Sequence, residues 1–236
     1  MEENKVQLYM NTWGNYNENG GDATAIGGGW MSLDDALKFA QEHSDEEPFI
    51  NDVDDYVGLP FEVGEYSNIT TTVERIKDYL ELSEEDREIV NAIMEAVSAD
   101  YEEAKDIFDR GSYVWYEGVQ SDADLAEAVI NESGWDSVVE TLTIENYLDI
   151  DYIKEQYEDD IRHELASEMD NYDIDEVTDE QLEQRLNDVI DALIDGIKAE
   201  PNVYSSTLDM YFDFDSYGSD LAYDYTFTDD GAILVL

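Results

Sequence analysis

Thr71–Phe108, TTVERIKDYLELSEEDREIVNAIMEAVSADYEEAKDIF, decides the architecture of the chain. Val73, Ile76 and Leu80 recur three and four residues apart, Ile89, Ile93 and Val97 repeat at four, and Tyr101, Ala104 and Phe108 close the series. That spacing gathers apolar side chains on one helix face. Ser83, followed three residues later by Asp86, supplies an N-terminal cap between the first two helices, and Gly111 is suited to ending the third. The stretch therefore predicts a helical domain over 71–110.

The flanks change period. On the N-terminal side, VQLYM at 6–10 reads as a strand, and the Gly- and Asn-rich residues 14–29 read as a long turn that returns at Trp30 in a first hairpin. Ser32 with Asp35 caps a helix that buries Leu33, Ala36, Leu37 and Ala40 before His43. Residues 44–68, with Pro48, Gly58, Pro60 and Gly64, read as loops around a short strand near Phe49–Val53. On the C-terminal side Tyr113–Tyr116 reads as a strand and Ser121 as the cap of a helix through Val129. Ile153, Tyr157, Ile161 and Leu165 make one helical stripe. Leu182, Leu186, Val189, Leu193 and Ile197 make another, which opens on the box Thr178–Gln181 and stops before Pro201. Residues 203–236 alternate in Met210, Phe212 and Phe214 and in Tyr223, Tyr225 and Phe227, which predicts antiparallel strands. The expected fold is α+β in three small tandem domains: 1–70 with a sheet and helix, 71–110 helical, and 111–236 mixed, with an added helical segment at about 166–215.

Charge is the second constraint. The 236 residues contain 62 Asp and Glu against 11 Lys and Arg, a formal net charge of −51. A small soluble domain carries a charge of only about 2 to 8 in magnitude, and self-repulsion on this scale opposes compaction. With 42% hydrophobic and 12% aromatic residues, the chain still has ample material for a core. The four tryptophans Trp13, Trp30, Trp115 and Trp135 are core or dimer-interface candidates, and Tyr147, Tyr152 and Tyr157 take the same role in the third domain. Cysteine is absent, which fits a reducing compartment. The N-terminal residues show no export signal, and no apolar run approaches the roughly 18 residues of a membrane span. A soluble, cytoplasmic protein is expected. Lipid headgroups and nucleic acids would both repel it, so its partner should be basic, a hard cation, or a protein that normally holds DNA.

Catalysis finds little support. Among 62 acids, chance carboxylate pairs occur everywhere, and the two histidines, His43 and His163, sit on amphipathic helices as ordinary surface or terminal residues. Nucleophile-elbow, phosphate-loop and zinc-protease motifs do not occur. Two stretches imitate calcium loops. Asn15, Asn17, Asn19 and Gly20 begin one but place Ile26 where the bidentate Glu belongs; Asp213, Asp215, Gly218 and Asp224 begin another with Tyr217 at a ligand position. Neither satisfies the ligand pattern, so no metal and no cofactor is expected.

Several short segments in fixed order carry a resemblance. Tyr16 and Asn17, a glycine-containing loop, then Gly28 and Trp30; Asp55, Tyr56 and Gly58, then Glu65 and Tyr66; Asp100, Glu103, Ala104 and Phe108, leading to Gly111 and Tyr116; and Tyr147, Asp149, Asp151 and Tyr152 together resemble the ArdA family of DNA-mimicking antirestriction proteins. Ser121, Asp124, Leu125, Ala126 and Glu132 are similar to that family's antirestriction motif. The resemblance runs from the N-terminus to about residue 165. The glycine-rich loop is longer than the family's, and 166–215 has no counterpart in it.

The resemblance implies an elongated homodimer joined through its C-terminal domains, whose curved acidic face imitates bent duplex DNA. It also implies a partner, the methyltransferase core of type I restriction-modification enzymes, whose DNA cleft the face would occupy; the chain itself would bind neither nucleic acid nor membrane. Duplex DNA carries about one charge per 1.7 Å of axis, so 51 charges would match at most about 87 Å of it. Carboxylates three or four residues apart on a helix lie about 5 to 6 Å apart and can form such a row. The candidates are Asp78, Glu81, Glu84, Glu85, Glu88, Glu102, Glu103, Asp106 and Asp109 of the middle domain, and Glu127, Glu132, Asp149, Asp151, Glu155, Glu158 and Asp159 of the third. The alternatives are an acidic scaffold or histone-chaperone-like polyanion, a surface adapted to a saline cytoplasm, and a calcium-binding protein.

Overall fold

A computed structural model describes residues 5–169 and 173–236. Contacts divide the chain into two compact units, one running to Tyr113 and including Val235 and Leu236, the other Val114–Leu234. The fold is α+β, as the mixed periodicities predict, with two small antiparallel sheets and a majority of helix.

The first unit runs β1 (Val6–Thr12), α1 (Trp13–Asn19), β2 (Gly29–Met31), α2 (Leu33–Glu42), β3 (Pro48–Asp55), α3 (Ile69–Glu81), α4 (Glu84–Val97) and α5 (Tyr101–Arg110). β1 lies between β2 and β3, antiparallel to both. Alternation sends Val6, Leu8 and Met10 inward, where they meet Ala36 and Phe39 of α2 and Ile69, Val73 and Ile76 of α3. The connection from β1 to β2 corrects the sequence reading. In place of a long turn, residues 14–29 hold most of α1 and a 3₁₀ turn at Ala23–Ile26. Thr12 caps α1 by accepting the Asn15 N–H at 3.2 Å, and Gly20, in the left-handed region, ends it. The density of Gly and Asn marked these stops and concealed the short helix between them.

Ser83 caps α4 as predicted: its Oγ accepts the Asp86 N–H at 3.1 Å and donates to the Asp86 carboxylate at 2.7 Å. Arg87 closes the end of α3 from the other side. Its Nε donates to the Tyr79 carbonyl at 3.0 Å, Nη2 donates to the Leu80 carbonyl at 2.9 Å, and the guanidinium lies 5.4 Å from the Tyr79 ring centre. Hydrogen bonds to a charged group contribute about 1.5 to 3 kcal/mol each. Arg87→Ala should therefore cost the first unit at least about 2 kcal/mol, and Arg87→Lys should restore less than half of it, because an ammonium lacks the fork that spans two carbonyls. Urea unfolding of the three proteins measures this; equal midpoints would refute the assignment.

The second unit contains nearly all of β4 (Tyr113–Glu117), then α6 (Asp122–Thr141), α7 (Ile150–Ser167), α8 (Asp179–Ala199), α9 (Ser205–Tyr211), α10 (Phe214–Leu221), β5 (Thr226–Phe227) and most of β6 (Gly231–Val235). Its sheet has the order β4-β6-β5. Ser121 caps α6, but the helix continues past Val129 to Thr141 with a break at Gly134, whose φ of 77° and ψ of 156° suit only glycine. Beyond the break Trp135, Val138 and Val139 join Ile153, Ile194, Ile197, Leu208 and Phe212 in the main core. α7 and α8 pack through Ile161, Ala166, Leu182 and Leu186.

The prediction of strands throughout 203–236 is overturned, since α9 and α10 occupy the segment where Met210, Phe212 and Phe214 alternate. Alternation over five residues was weaker than a cap the sequence reading passed over: Asp213 accepts the Ser216 N–H at 2.9 Å and its Oγ at 2.7 Å, which starts α10. Only β5 and β6 remain as strands there.

Trp135 is buried, Trp13 stacks on Phe49 at 4.3 Å, Trp115 is half-buried, and Trp30 is 48% exposed at the sheet edge. Tyr147 and Tyr157 are half-buried, whereas Tyr152 is exposed. Among the described helices only α5 and α8 carry a cation in the last turn, Arg110 and Lys198. No described helix is long and apolar enough to cross a membrane.

Candidate functional site

The helices put acids outward because the apolar stripe takes the inner face. Asp78 and Glu81 lie on the last turns of α3, Glu84, Glu85 and Glu88 on the first turns of α4, and Glu102, Glu103, Asp106 and Asp109 along α5. In the second unit Glu127 and Glu132 lie on α6, Asp149 caps α7, and Asp151, Glu155, Glu158 and Asp159 follow on its first turns. None of the sixteen is buried, and only Glu88 and Glu158 are partly covered. Glu84, Glu85 and Asp86 also sit in the first turn of α4, at the positive pole of that helix.

At least eight of the eleven cations pair with acids of the same chain. Lys38 pairs with Asp35, Lys77 with Asp34, Arg75 with Glu102, Lys105 with Asp109 at 2.6 Å, and Arg110 with Asp106 at 2.8 Å. In the second unit Arg162 pairs with Glu158 at 2.9 Å, Arg185 with Glu164 at 2.5 Å, and Lys198 with Glu145. Several of these pairs join two helices: Lys77 ties α3 to α2, Arg75 ties α3 to α5, and Arg185 ties α8 to α7. Four candidates, Glu102, Asp106, Asp109 and Glu158, are thus locally neutralised. Glu81, Glu84, Glu85, Glu103, Glu127, Asp151, Glu155 and Asp159 have no ion-pair or hydrogen-bond partner for their carboxylates among the described residues. Asp151, Glu155 and Asp159 follow at intervals of four, a row rising about 6 Å per step.

Tyrosines on packed rings hold three further acids. The hydroxyls of Tyr101, Tyr116 and Tyr147 donate to Asp78, Glu132 and Asp220 at 2.6, 2.5 and 2.6 Å. Burial, and then the adjacent carboxylate, push the phenols of Tyr101 and Tyr116 far above the ordinary tyrosine range. The Asp220 bond, and then burial, raise that of Tyr147 to about 12.

The segment resembling the antirestriction motif divides in two. Ser121 Oγ accepts the Asp124 N–H at 3.2 Å and donates to its carboxylate at 2.7 Å, so both form the cap of α6, while Leu125 and Ala126 are completely buried. Ser121, Asp124 and Glu132 are exposed, so Asp124 and Glu132 are the charged groups the segment presents to water. Acids of the same kind on α8, Glu180, Glu183, Asp188, Asp191 and Asp195, are exposed and went unnamed in the sequence reading, although Glu180 with Glu183, and Asp188, Asp191 and Asp195, recur at intervals of three and four.

The calcium-loop imitations fold as other things. Asn15 is buried and donates to Asn11 Oδ1 at 3.0 Å and to the Asp22 carbonyl at 2.7 Å, and Asp213 caps α10. The Asn19 side chain, and residues 1–4 and 170–172 of the N-terminal and 166–215 readings, lie outside the described residues. No group of three or more metal-capable side chains converges among the described residues. His43 ends α2 against Phe39, and His163 is exposed on α7. A cleft of about 1280 Å³ in the first unit is lined by Lys5, Lys77 and Arg87 together with Glu81, Glu84 and Glu88; Lys77 and Arg87 are the residues already engaged with Asp34 and the end of α3.

Fold and surface together define a class: a helix-rich α+β polyanion whose basic residues largely pair with acids of the same chain. The family description that matches is "Antirestriction protein (ArdA)", over residues 8–165. The chain belongs to the ArdA family of antirestriction proteins. The matched span ends inside α7, so α8 to α10, β5 and β6 lie beyond it, and β4 inside the span pairs with β6 outside it. No individually curated protein matches the chain.

Proposed function

We propose that the protein inhibits type I restriction-modification enzymes by occupying the DNA cleft of their methyltransferase core, as a non-catalytic mimic of duplex DNA acting as a homodimer in the bacterial cytoplasm. The observation that carries this reading is the distribution of charge within a member of an antirestriction family. At least eight of the eleven cations are held in internal ion pairs, while carboxylates on α3, α4, α5, α6 and α7 face water without partners. Lys and Arg of a DNA cleft would find in them the acceptors that phosphates provide, fixed on helices instead of on a flexible tail. Occupancy, not chemistry, would then be the mechanism.

The test is displacement of target duplex from a purified type I methyltransferase core over a salt series. The full chain should displace the duplex stoichiometrically at low salt, and its affinity should fall by about 10³-fold or more between about 50 and 200 mM salt, as for ligands that make six or more phosphate contacts. Failure to displace at low salt rejects the reading. Equal binding to a small basic protein at moderate salt would favour a general polyanion instead.

A further inference from the structure

Three exposed carboxylates stand at the tips of packed rings. Tyr101 is 3% exposed and lies against Phe61 at 5.2 Å and Tyr79 at 5.9 Å; its hydroxyl reaches from α5 to Asp78 on α3. Tyr116 of β4 stacks on Tyr225 at 5.9 Å and reaches Glu132 on α6. Tyr147 lies against Tyr217 at 5.5 Å and Phe212 at 6.0 Å and reaches Asp220 on α10. In each case the ring is held by neighbours, and its two side-chain torsions leave the hydroxyl little freedom once packed.

The chemical identity of the donor matters. Arg75 holds Glu102 as firmly, but that pair carries no net charge. A phenol is neutral, so a tyrosine–carboxylate pair keeps its full negative charge while its oxygens gain a fixed position through a short, charge-assisted bond. Carboxylates held only by water must lose side-chain freedom on meeting a partner, and those held by tyrosine have already lost it.

We infer that Tyr101, Tyr116 and Tyr147 are positioning residues that fix Asp78, Glu132 and Asp220 at set points of the acidic surface while leaving their charge available to a cationic partner, an assignment that rests on the binding reading above. It adds Asp220, beyond the family-matched span, to the partner-facing acids. The raised phenol ionisation described above agrees with this geometry, since the hydroxyls remain donors throughout the physiological range.

The experiment uses the full chain with Tyr101→Phe, Tyr116→Phe and Tyr147→Phe, singly and together, and Tyr211→Phe as a control whose buried ring holds no carboxylate. Every ring is retained and the net charge is unchanged. Each pair variant should need about two- to tenfold more protein to displace duplex, the range expected for freeing one side chain at an interface. The salt slope should stay that of the parent, because no charge is lost. Unchanged potency of the triple variant, with the parent active, overturns the positioning role and leaves the binding reading standing. Failure of the parent to displace duplex rejects the binding reading and the partner-facing role with it. Alkaline absorbance titration tests the pairs separately, including the case in which a Phe variant does not fold. Asp78→Asn, Glu132→Gln and Asp220→Asn should each bring one late-ionising tyrosine to lower pH, and no change in any of them overturns the inference.

Discussion

Gly218→Ala should lower the melting temperature of the second unit by roughly 10 °C or more and could leave it largely unfolded at 37 °C. Gly218 is buried in α10, where the helix backbone lies directly on the first turn of α6, and a Cβ there would overlap the carbonyl oxygen and carbon of Asp122. Neither group can rotate away, because both belong to helix backbone. Overpacking typically costs about 1 to 3 kcal/mol when side chains can adjust; here the upper end or more is expected, out of a stability of about 5 to 15 kcal/mol for a whole domain. Gly134→Ala is the informative comparison. Open space surrounds that position, so its cost is the conformational one of forcing a side chain into φ 77°, ψ 156°, about 1 to 3 kcal/mol. Calorimetry of the two variants separates contact from conformation, and a shift below about 3 °C for Gly218→Ala would show that the α6–α10 contact is looser than described.

Converting Glu84, Glu85, Glu103, Asp151, Glu155 and Asp159 to their amides should weaken displacement of duplex from the methyltransferase core by at least about tenfold at low salt. It should also flatten the logarithmic salt dependence by about 5, at about 0.9 per phosphate-like contact removed. These six are the candidate carboxylates without internal partners on α4, α5 and α7, so their replacement frees no cation and breaks no helix joint. Exposed pairs contribute about 0.2 to 1 kcal/mol each, which sums to the stated loss even near the lower end. The control amidates six exposed acids elsewhere, Glu18, Glu42, Asp45, Glu117, Glu140 and Glu200, for the same change in total charge. Equal losses in both sets would mean that net charge alone governs binding and that helical arrangement is irrelevant.

Features fixed within three or four residues were legible in the sequence. Ser32, Ser83, Ser121 and Thr178 each cap a helix where a hydroxyl and a side chain three residues on announced it, because a cap is a local contact. The strand-like alternation at 210–214 misled because it is short and its aromatics serve helices whose core-facing positions, buried Leu208 with Tyr211 and buried Tyr217 with partly buried Leu221, are three and four apart. The exposure of the candidate acids followed from helical periodicity, but which of them keep their charge did not. Arg75 meets Glu102 from another helix, Arg185 meets Glu164 from another, and Tyr147 meets Asp220 from 73 residues away. Those meetings are decided by tertiary packing, on which local spacing is silent.

The scarcity of cations in the last turns of the helices has an outcome of its own. A helix without a basic residue at its carboxyl end exposes a pole worth about half an elementary negative charge, and α4, α6 and α7 each end this way. Unlike carboxylates, these poles do not take up protons. The peptide backbone thus lends the molecule an anionic field that acidification leaves in place, so attraction for a basic cleft should decline more gradually below pH 4 than the ionisation of its side chains alone would dictate.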